Sequence, residues 1–294
     1  MRQQAVAMLP AHVVQSAIVL DQLKLVYVPV PKAGSTAMLW ALLEATELDG
    51  DAFVRSTKLE TTRTLTIHDM SIWGERHRIA SRAGAERRVF GSAEWLTFTI
   101  VREPVRRLWS AWVSKILLRD PRFVAAYGDE DWFPAQPKTP EDIVSSFRRF
   151  LCALPNPGEA GHDPHWSSQA ALAGIGSVPY HLVGRVEELP AALEVIDAHL
   201  RARRRPGLTL RRENSSLVRF VPELLDEVSW NRSAAFTAHD REALGYDPVE
   251  YVGGEPPADW LTNVEATIPA IRAVIERNER IGDLKRLVTR SRAS

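Results

Sequence analysis

Two segments of the chain share one order: a short apolar run, a turn, and a stretch with helical spacing. In the first, residues 24–30 (KLVYVPV) form a nearly continuous apolar run, which is typical of a buried parallel strand. After a turn at 31–35, residues 36–47 have helical composition. The apolar positions that share one face of this predicted helix are Met38, Leu39, Leu42 and Leu43.

The second segment repeats the pattern further along the chain. Residues 95–101 (WLTFTIV) predict a strand, 102–104 a turn and 105–118 a helix. Repeated strand–turn–helix units predict an α/β fold whose turns lie at the carboxyl ends of parallel strands. Open α/β sheets bind their ligands at these ends, so the two turns are the first places to look for a site.

The remaining pattern adds mostly helices. Residues 119–140, rich in Pro, Gly, Asp and aromatic residues, predict a long loop, and the aromatic side chains either close over a ligand or anchor the loop. Thr139 and Pro140 then form a helix start. Further predicted elements are a helix to about 154, a strand at 181–186, a helix at about 190–204, a short helix at 237–244 and a charged helix from about 266.

Charge and composition exclude several classes of protein. Lys plus Arg and Asp plus Glu both number 37, and a nucleic-acid-binding protein normally has a basic excess. We therefore expect no nucleic-acid partner and only local anion sites. The single cysteine, Cys152, excludes an intrachain disulfide, and its apolar surroundings predict a buried side chain. Since no apolar run reaches the length of a membrane span, a cytoplasmic location without membrane contact is expected.

The first turn, Pro31-Lys32-Ala33-Gly34-Ser35-Thr36, has the chemistry of an anion cradle. Gly34 permits close approach of the backbone, and the helix that follows directs free N–H groups and its positive dipole end into the turn. Lys32 adds a charge, and Ser35 and Thr36 add hydroxyl groups. The lysine precedes the glycine, whereas a Walker A loop places it afterwards. The turn therefore favours a phosphate-binding or sulfate-binding protein of another kind. A magnesium-dependent kinase or NTPase is the alternative.

The second turn adds a guanidinium and a hydroxyl group. Arg102 lies at the end of the predicted strand and can present a planar fork to a phosphate, and Ser110 follows two helical turns later. We interpret Arg106 and Arg107 as solvated helix charges. Two tryptophans on the same helix, Trp109 and Trp112, are interpreted as core packing residues.

Taken together, these motifs resemble the paired donor-binding motifs of PAPS-dependent sulfotransferases (PAPS is 3′-phosphoadenosine-5′-phosphosulfate). VPVPKAGST and FTIVREPVRRLWSAW are most similar to the carbohydrate, Golgi-type chondroitin/HNK-1-like family, sulfotransferase family 2. The similarity continues through HWSSQ at 165–169 and YHLVGRVEEL at 180–189, and weakly through 214–216 and 244–247. Because the membrane anchor and cysteine pairs of Golgi members are missing, the chain resembles a soluble bacterial-type member.

The resemblance implies a single sulfotransferase domain over 1–294, with a P-loop-like central parallel sheet flanked by helices. Its core would span about 24–250 and a helical tail about 264–294. It implies PAPS as co-substrate, no metal, and a carbohydrate or other small-molecule acceptor. A non-catalytic PAP-binding relative is an alternative, and the oligomeric state stays open. The donor-binding positions implied are Lys32, Ala33, Gly34, Ser35 and Thr36 for the 5′-phosphosulfate, and Arg102 and Ser110 for the 3′-phosphate.

Sulfuryl transfer also needs a base for the acceptor hydroxyl. His68, at the end of a strand-like stretch between the two motifs, and His165 are both candidates because histidine titrates near neutral pH. Glu44 and Asp69 remain open as acidic alternatives. Lys32 is the predicted catalytic cation. The basic run at 201–212 is either a solvated helix end or a surface for a polyanionic acceptor.

Overall fold

The computed structural model describes residues 9–46, 66–74, 77, 89–90, 92–155, 163–211, 216–248 and 250–293. Its strands and helices follow one another in this order: α1 (Ala11–Ser16), β1 (Ile18–Leu20), β2 (Leu25–Val28), α2 (Ser35–Glu44), α3 (Met70–Trp73), β3 (Leu96–Val101), α4 (Pro104–Trp112), α5 (Pro121–Tyr127), α6 (Pro140–Ala153), α7 (Gln169–Ala173), β4 (Leu182–Arg185), α8 (Leu189–Arg201), α9 (Glu227–Leu244) and α10 (Ala258–Ala293). A π-helical turn, Val113–Leu117, extends α4.

Within the described residues, four strands form one sheet in the order β1-β2-β3-β4. β1 is antiparallel to β2, whereas β2, β3 and β4 are parallel to one another. This confirms the predicted α/β fold with a mostly parallel central sheet flanked by helices. Val28 at the end of β2 pairs with Thr99 near the end of β3. The two predicted ligand turns therefore leave the sheet from adjacent strands.

The sheet belongs to the first of two compact units, which comprises residues 1–103 and 167–214. All residues of β2 and β3 are buried, as expected for strands covered on both faces. Since successive side chains of a strand point to opposite faces, Tyr27 and Phe98 pack with α2 and α8, and Val26 and Val28 join a separate cluster.

The second unit comprises residues 104–166 and 215–294, and its described elements are helical. Aromatic side chains dominate its core. Trp109 contacts Phe147 edge to face, with ring centroids 4.8 Å apart, and its indole N–H donates to the Val218 carbonyl at 2.9 Å. The interpretation of Trp109 and Trp112 as core residues is confirmed because both are at most 1% exposed.

The predicted loop at 119–140 is wrong in part, because it contains helix α5. Asp120 caps this helix by accepting a hydrogen bond from the Arg122 N–H at 3.1 Å, and Pro121 occupies its first position. The same cap-and-proline signal at Thr139 correctly predicted α6. Phe123 and Phe133 are buried in the core of the second unit, so they anchor the segment.

Helix α9 begins ten residues earlier than predicted. Asp226 caps it, with its Oδ1 accepting from the Ser229 N–H at 2.8 Å. The buried face of α9 is mostly polar, with Ser229, Ser233, Thr237 and Asp240 at most 6% exposed. Since the prediction relied on apolar spacing, this face gave no signal. Helix α10 likewise begins at Ala258, ahead of the predicted start at about 266.

Two further predictions are wrong, one about a side chain and one about the backbone. Cys152 is exposed, because the buried face of α6 includes Phe147, Phe150 and Leu151 and position 152 points away from it. The strand-like stretch before His68 ends in a turn, with the Asp69 N–H donating to the Thr66 carbonyl at 2.9 Å. Residues 64–65 of that stretch lie outside the described part of the chain, as do 156–162 and 212–215.

Candidate active site

The turn between β2 and α2 has an unusual backbone. Lys32 and Gly34 both have left-handed conformations, with φ of 68° and 74°. A Cβ added at Gly34 would meet Val186 Cγ2 at an ordinary 3.8 Å, so space does not select glycine here. The positive φ selects glycine, because residues with a side chain rarely adopt it. The turn thus combines left-handed residues with the right-handed start of α2, an arrangement that forms anion-binding concavities.

Helix α2 begins directly at this turn. Gly34 is its N-cap, no side chain caps it, and the Met38 N–H donates to the Gly34 carbonyl at 3.1 Å as the first helical bond. The N–H groups of Ser35, Thr36 and Ala37 therefore precede the helical ladder and lie at the positive end of a ten-residue helix. Such an end binds phosphate or sulfate groups.

Ala33, the remaining predicted residue of the turn, packs inward. It is fully buried and clusters with Val30 and Ala173, and the half-buried Tyr180 packs against this cluster. The Tyr180 hydroxyl donates to the Ala173 carbonyl at 2.6 Å, and burial raises the pKa of Tyr180. Ala33 therefore forms the apolar floor that fixes the turn, and a ligand contact by its backbone stays a prediction.

His68 lies beside the start of α2. Its Nε2 is 2.9 Å from the Thr36 hydroxyl oxygen, and its side chain is exposed. The turn that carries it is held from the other side, because the Trp73 indole N–H donates to the Ile67 carbonyl at 2.8 Å. The structure thus brings one of the two predicted bases to the anion cradle.

Arg102 connects the second turn to the first. Its Nη1 donates to the Lys32 carbonyl at 3.4 Å, and the residue is half-buried at the end of β3. The adjacent Glu103 N–H donates to the Glu187 carboxylate at 3.0 Å. The first unit therefore brings together Lys32, Gly34, Ser35, Thr36, His68 and Arg102.

Two residues that fix the Arg102 turn were not predicted as site residues. Gln169 contacts the Arg102 backbone through both ends of its carboxamide, and Glu187 holds the next peptide. Both lie in the segments that carry the family resemblance, 165–169 and 180–189. Their positions in those segments were the available signal, but the contacts span 67 and 84 positions of sequence.

Ser110 and His165, the remaining predicted residues, belong to the second unit. Ser110 is half-buried on α4. The His165 Nδ1 is 2.5 Å from Asp163 Oδ1, and the same oxygen accepts from the His165 backbone N–H at 2.8 Å. Partial burial raises the pKa of Asp163, but these bonds outweigh it and lower the pKa overall. An imidazole oriented by a carboxylate is chemically suited to general-base catalysis.

The ring of His165 also packs edge to face against Phe123, with centroids 5.5 Å apart. Trp166 contacts the same phenyl ring at 5.5 Å. His165 is therefore part of the aromatic packing of its unit as well as a candidate base. Both interpretations stay open for this residue.

Arg107 corrects the prediction of a solvated charge. It is 2% exposed, and its Nη2 donates to the Pro164 carbonyl at 2.8 Å. Burial lowers its pKa to about 10, although the nearby Asp240 and Asp163 carboxylates act in the opposite direction. A guanidinium in this setting supports the fold of the second unit. Arg106, by contrast, is exposed as predicted.

The acidic alternatives for the base differ in position. Glu44 lies at the far end of α2, eight residues or about 12 Å along the helix axis from Thr36, and pairs with Arg211 at 3.6 Å. That distance removes it from the cradle. Asp69 directly follows His68 and is half-buried, so it remains an alternative.

Across the ranges that the structure describes, no group of three or more His, Cys, Asp and Glu side chains is placed to hold a metal ion. None of the helices described above combines the length and apolar character needed to cross a bilayer.

Comparison with known proteins gives one family. The profile of the Sulfotransferase family, sulfotransferase family 2, matches residues 15–237, which is more than half of the 294 residues. No curated protein and no solved structure shows significant similarity to the chain. The matched range contains the cradle, Arg102 and both candidate bases. The chain belongs to the sulfotransferase family.

Proposed function

We propose that this chain transfers a sulfuryl group from PAPS to an acceptor hydroxyl, giving PAP and a sulfate ester. The observation that carries the proposal is the pairing of two turns on adjacent strands. One is the left-handed turn before α2, and the other holds Arg102, whose guanidinium donates to the Lys32 carbonyl. Together with family membership, this arrangement supports a donor with two anionic ends, because each turn carries one residue with a full positive charge.

The residues present fit such a donor. The start of α2 is proposed to offer N–H groups and the hydroxyl groups of Ser35 and Thr36 to the 5′-phosphosulfate. Lys32 of the preceding turn would add a full positive charge. Arg102 offers a planar fork for the 3′-phosphate. For Ser110 the support is the family resemblance alone. A single domain built from both compact units, and a donor site that works without a metal, belong to the same proposal.

The reaction breaks the bond between sulfur and the 5′-phosphate oxygen and forms a bond between sulfur and the acceptor oxygen. Negative charge develops on the leaving phosphate, and Lys32 is proposed to neutralise it. At about 4 Å and an effective dielectric constant of about 20, one such charge pair contributes roughly 4 kcal/mol before desolvation. The acceptor proton passes to His68, whose Nε2 already lies 2.9 Å from the Thr36 hydroxyl.

The acceptor is proposed to be a carbohydrate or another small molecule with a hydroxyl group. The basic run favours no particular acceptor, because its exposed residues Arg201, Arg204 and Arg205 lie at and beyond the last turn of α8. Cations are favoured there by the helix dipole alone. Arg212 of this run lies outside the described residues.

Transfer of ³⁵S from labelled PAPS to sugars, phenols and aliphatic alcohols tests the proposal. We expect a labelled ester and an equal amount of PAP with at least one acceptor class. Addition of EDTA is expected to leave the rate unchanged, because the positive charge comes from Lys32 and Arg102. Bound PAPS that yields no labelled ester with any class, or a rate that requires magnesium, would contradict it.

A further inference from the structure

The side chain of Gln169 makes a reciprocal contact with the peptide groups around Arg102. Its Oε1 accepts from the Arg102 backbone N–H at 2.9 Å, and its Nε2 donates to the Arg102 carbonyl at 2.8 Å. Gln169 is fully buried. Both hydrogen-bonding groups of the Arg102 backbone therefore bind the same buried carboxamide.

The position of this contact in the sheet explains why it is needed. The last residue of β3 that is paired in register is Val101, opposite Arg185 of β4. Arg102 follows directly, beyond the ladder. A carboxamide carries one acceptor and two donor hydrogens on a planar group, so Gln169 supplies the two bonds that a neighbouring strand would otherwise make. Gln169 therefore extends the hydrogen-bonded part of the backbone by one residue beyond the carboxyl end of β3.

Gln169 itself is firmly held. It is the first residue of α7, where the Ser168 hydroxyl caps the helix by accepting from the Ala171 N–H at 3.2 Å. Ala170 and Ala173 of the same helix are buried. Because its own helix is fixed, little conformational freedom remains to be lost when the carboxamide binds the Arg102 peptide.

We propose that Gln169 is a positioning residue that aims the Arg102 guanidinium at the 3′-phosphate of the donor. This inference rests on the proposed function. Without the carboxamide, the Arg102 backbone loses these two hydrogen bonds at a half-buried site, and the side chain it carries can shift. A misplacement of about 1 Å is enough to weaken a charge-assisted contact severely. Gln169 is not expected to affect binding of the 5′ end of the nucleotide, which is proposed to bind at the start of α2.

Two ligands separate this role from general stabilisation. PAP carries the 3′-phosphate and AMP lacks it, so the ratio of their affinities measures the contacts to the 3′-phosphate, including the one proposed for Arg102. The matched control is Thr99→Val, which removes a different buried hydrogen bond of β3, from the Thr99 hydroxyl to the Val28 carbonyl at 2.8 Å. This variant perturbs the same strand without touching Arg102.

Calorimetric titrations at pH 8 give the first test. We expect the wild type and Thr99→Val to bind PAP at least about tenfold more tightly than AMP. In Gln169→Met, which keeps the length but has no donor and only a weak sulfur acceptor, PAP affinity is expected to fall about tenfold, equivalent to about 1.4 kcal/mol. AMP affinity is expected to stay within about twofold of the wild type. An unchanged PAP-to-AMP ratio in Gln169→Met would overturn the inference.

Gln169→Glu provides a second test that does not depend on the methionine variant folding. At pH 8 its ionised carboxylate faces the Arg102 carbonyl and repels it, so the preference for PAP is lost. Burial raises the pKa of such a carboxyl. At pH 5.5 the protonated acid again donates to the carbonyl, and the preference is expected to return, relative to the wild type at the same pH. A ratio that does not recover at pH 5.5 would contradict the positioning role, whereas a wild type without PAP preference would reject the proposed function itself.

Discussion

Replacement of Lys32 by alanine is expected to lower kcat for sulfuryl transfer by about 10²–10³, the usual loss when one pre-aimed electrostatic group is removed. Lys32 lies in the left-handed turn before α2, where the helix N-terminus already favours an anion. Lys32 is the charged residue of the first motif, and its ammonium is proposed to neutralise the leaving phosphate. Steady-state rates with labelled PAPS measure the loss.

The protein contains a matched control for this substitution. Lys24 also has a left-handed backbone, with φ of 52°, and its ammonium lies 4.9 Å from the Trp95 ring centroid. Lys24→Ala therefore reproduces the backbone cost of placing alanine at positive φ without removing a cradle charge. A kcat of Lys32→Ala within about threefold of that of Lys24→Ala would show that Lys32 has no catalytic role.

The second large effect is expected at His68. Gln places its terminal nitrogen or oxygen close to the position of the histidine Nε2, so His68→Gln preserves the contact with Thr36 but cannot accept a proton. We expect kcat to fall by about 10²–10⁴, with PAP affinity unchanged. His68→Ala is also expected to lower turnover without weakening donor binding. The limb of the pH–rate profile that reports the base should disappear in both variants.

Two histidines serve as references for that experiment. His12→Gln changes an exposed ring whose Nε2 contacts the Ala171 carbonyl, and should leave turnover unchanged. His165→Gln examines the carboxylate-oriented imidazole of the second unit. Unchanged turnover in His68→Gln together with a large loss in His165→Gln would transfer the role of base to His165.

The predictions that succeeded relied on local signals. The apolar runs at 24–30 and 95–101 became β2 and β3 because strands buried on both faces need no polar alternation. Thr139 and Pro140 gave the start of α6 because capping acts within one turn of the chain. The turn at Gly34 was recognisable because the residue after it begins a helix.

Two of the failures were non-local. The buried polar face of α9 and the burial of Arg107 depend on partners that no pattern of hydrophobic residues reveals. Gln169 on α7 meets Arg102 across 67 positions of sequence, and local spacing gives no signal for a contact of that range. Helix α5 is different, because the sequence contains its cap at Asp120. The surrounding Pro, Gly and Asp residues nevertheless led to the prediction of a loop.

Calorimetric titration of the wild type and Arg102→Ala with PAP, and separately with ATP plus magnesium, tests the central claim most directly. Arg102 is the group proposed to hold the 3′-phosphate, which PAP has and ATP lacks. The account predicts micromolar or tighter PAP binding that is at least about tenfold weaker in Arg102→Ala, and no comparable binding of magnesium–ATP. No binding of PAP, or a preference for magnesium–ATP that persists in Arg102→Ala, would contradict it.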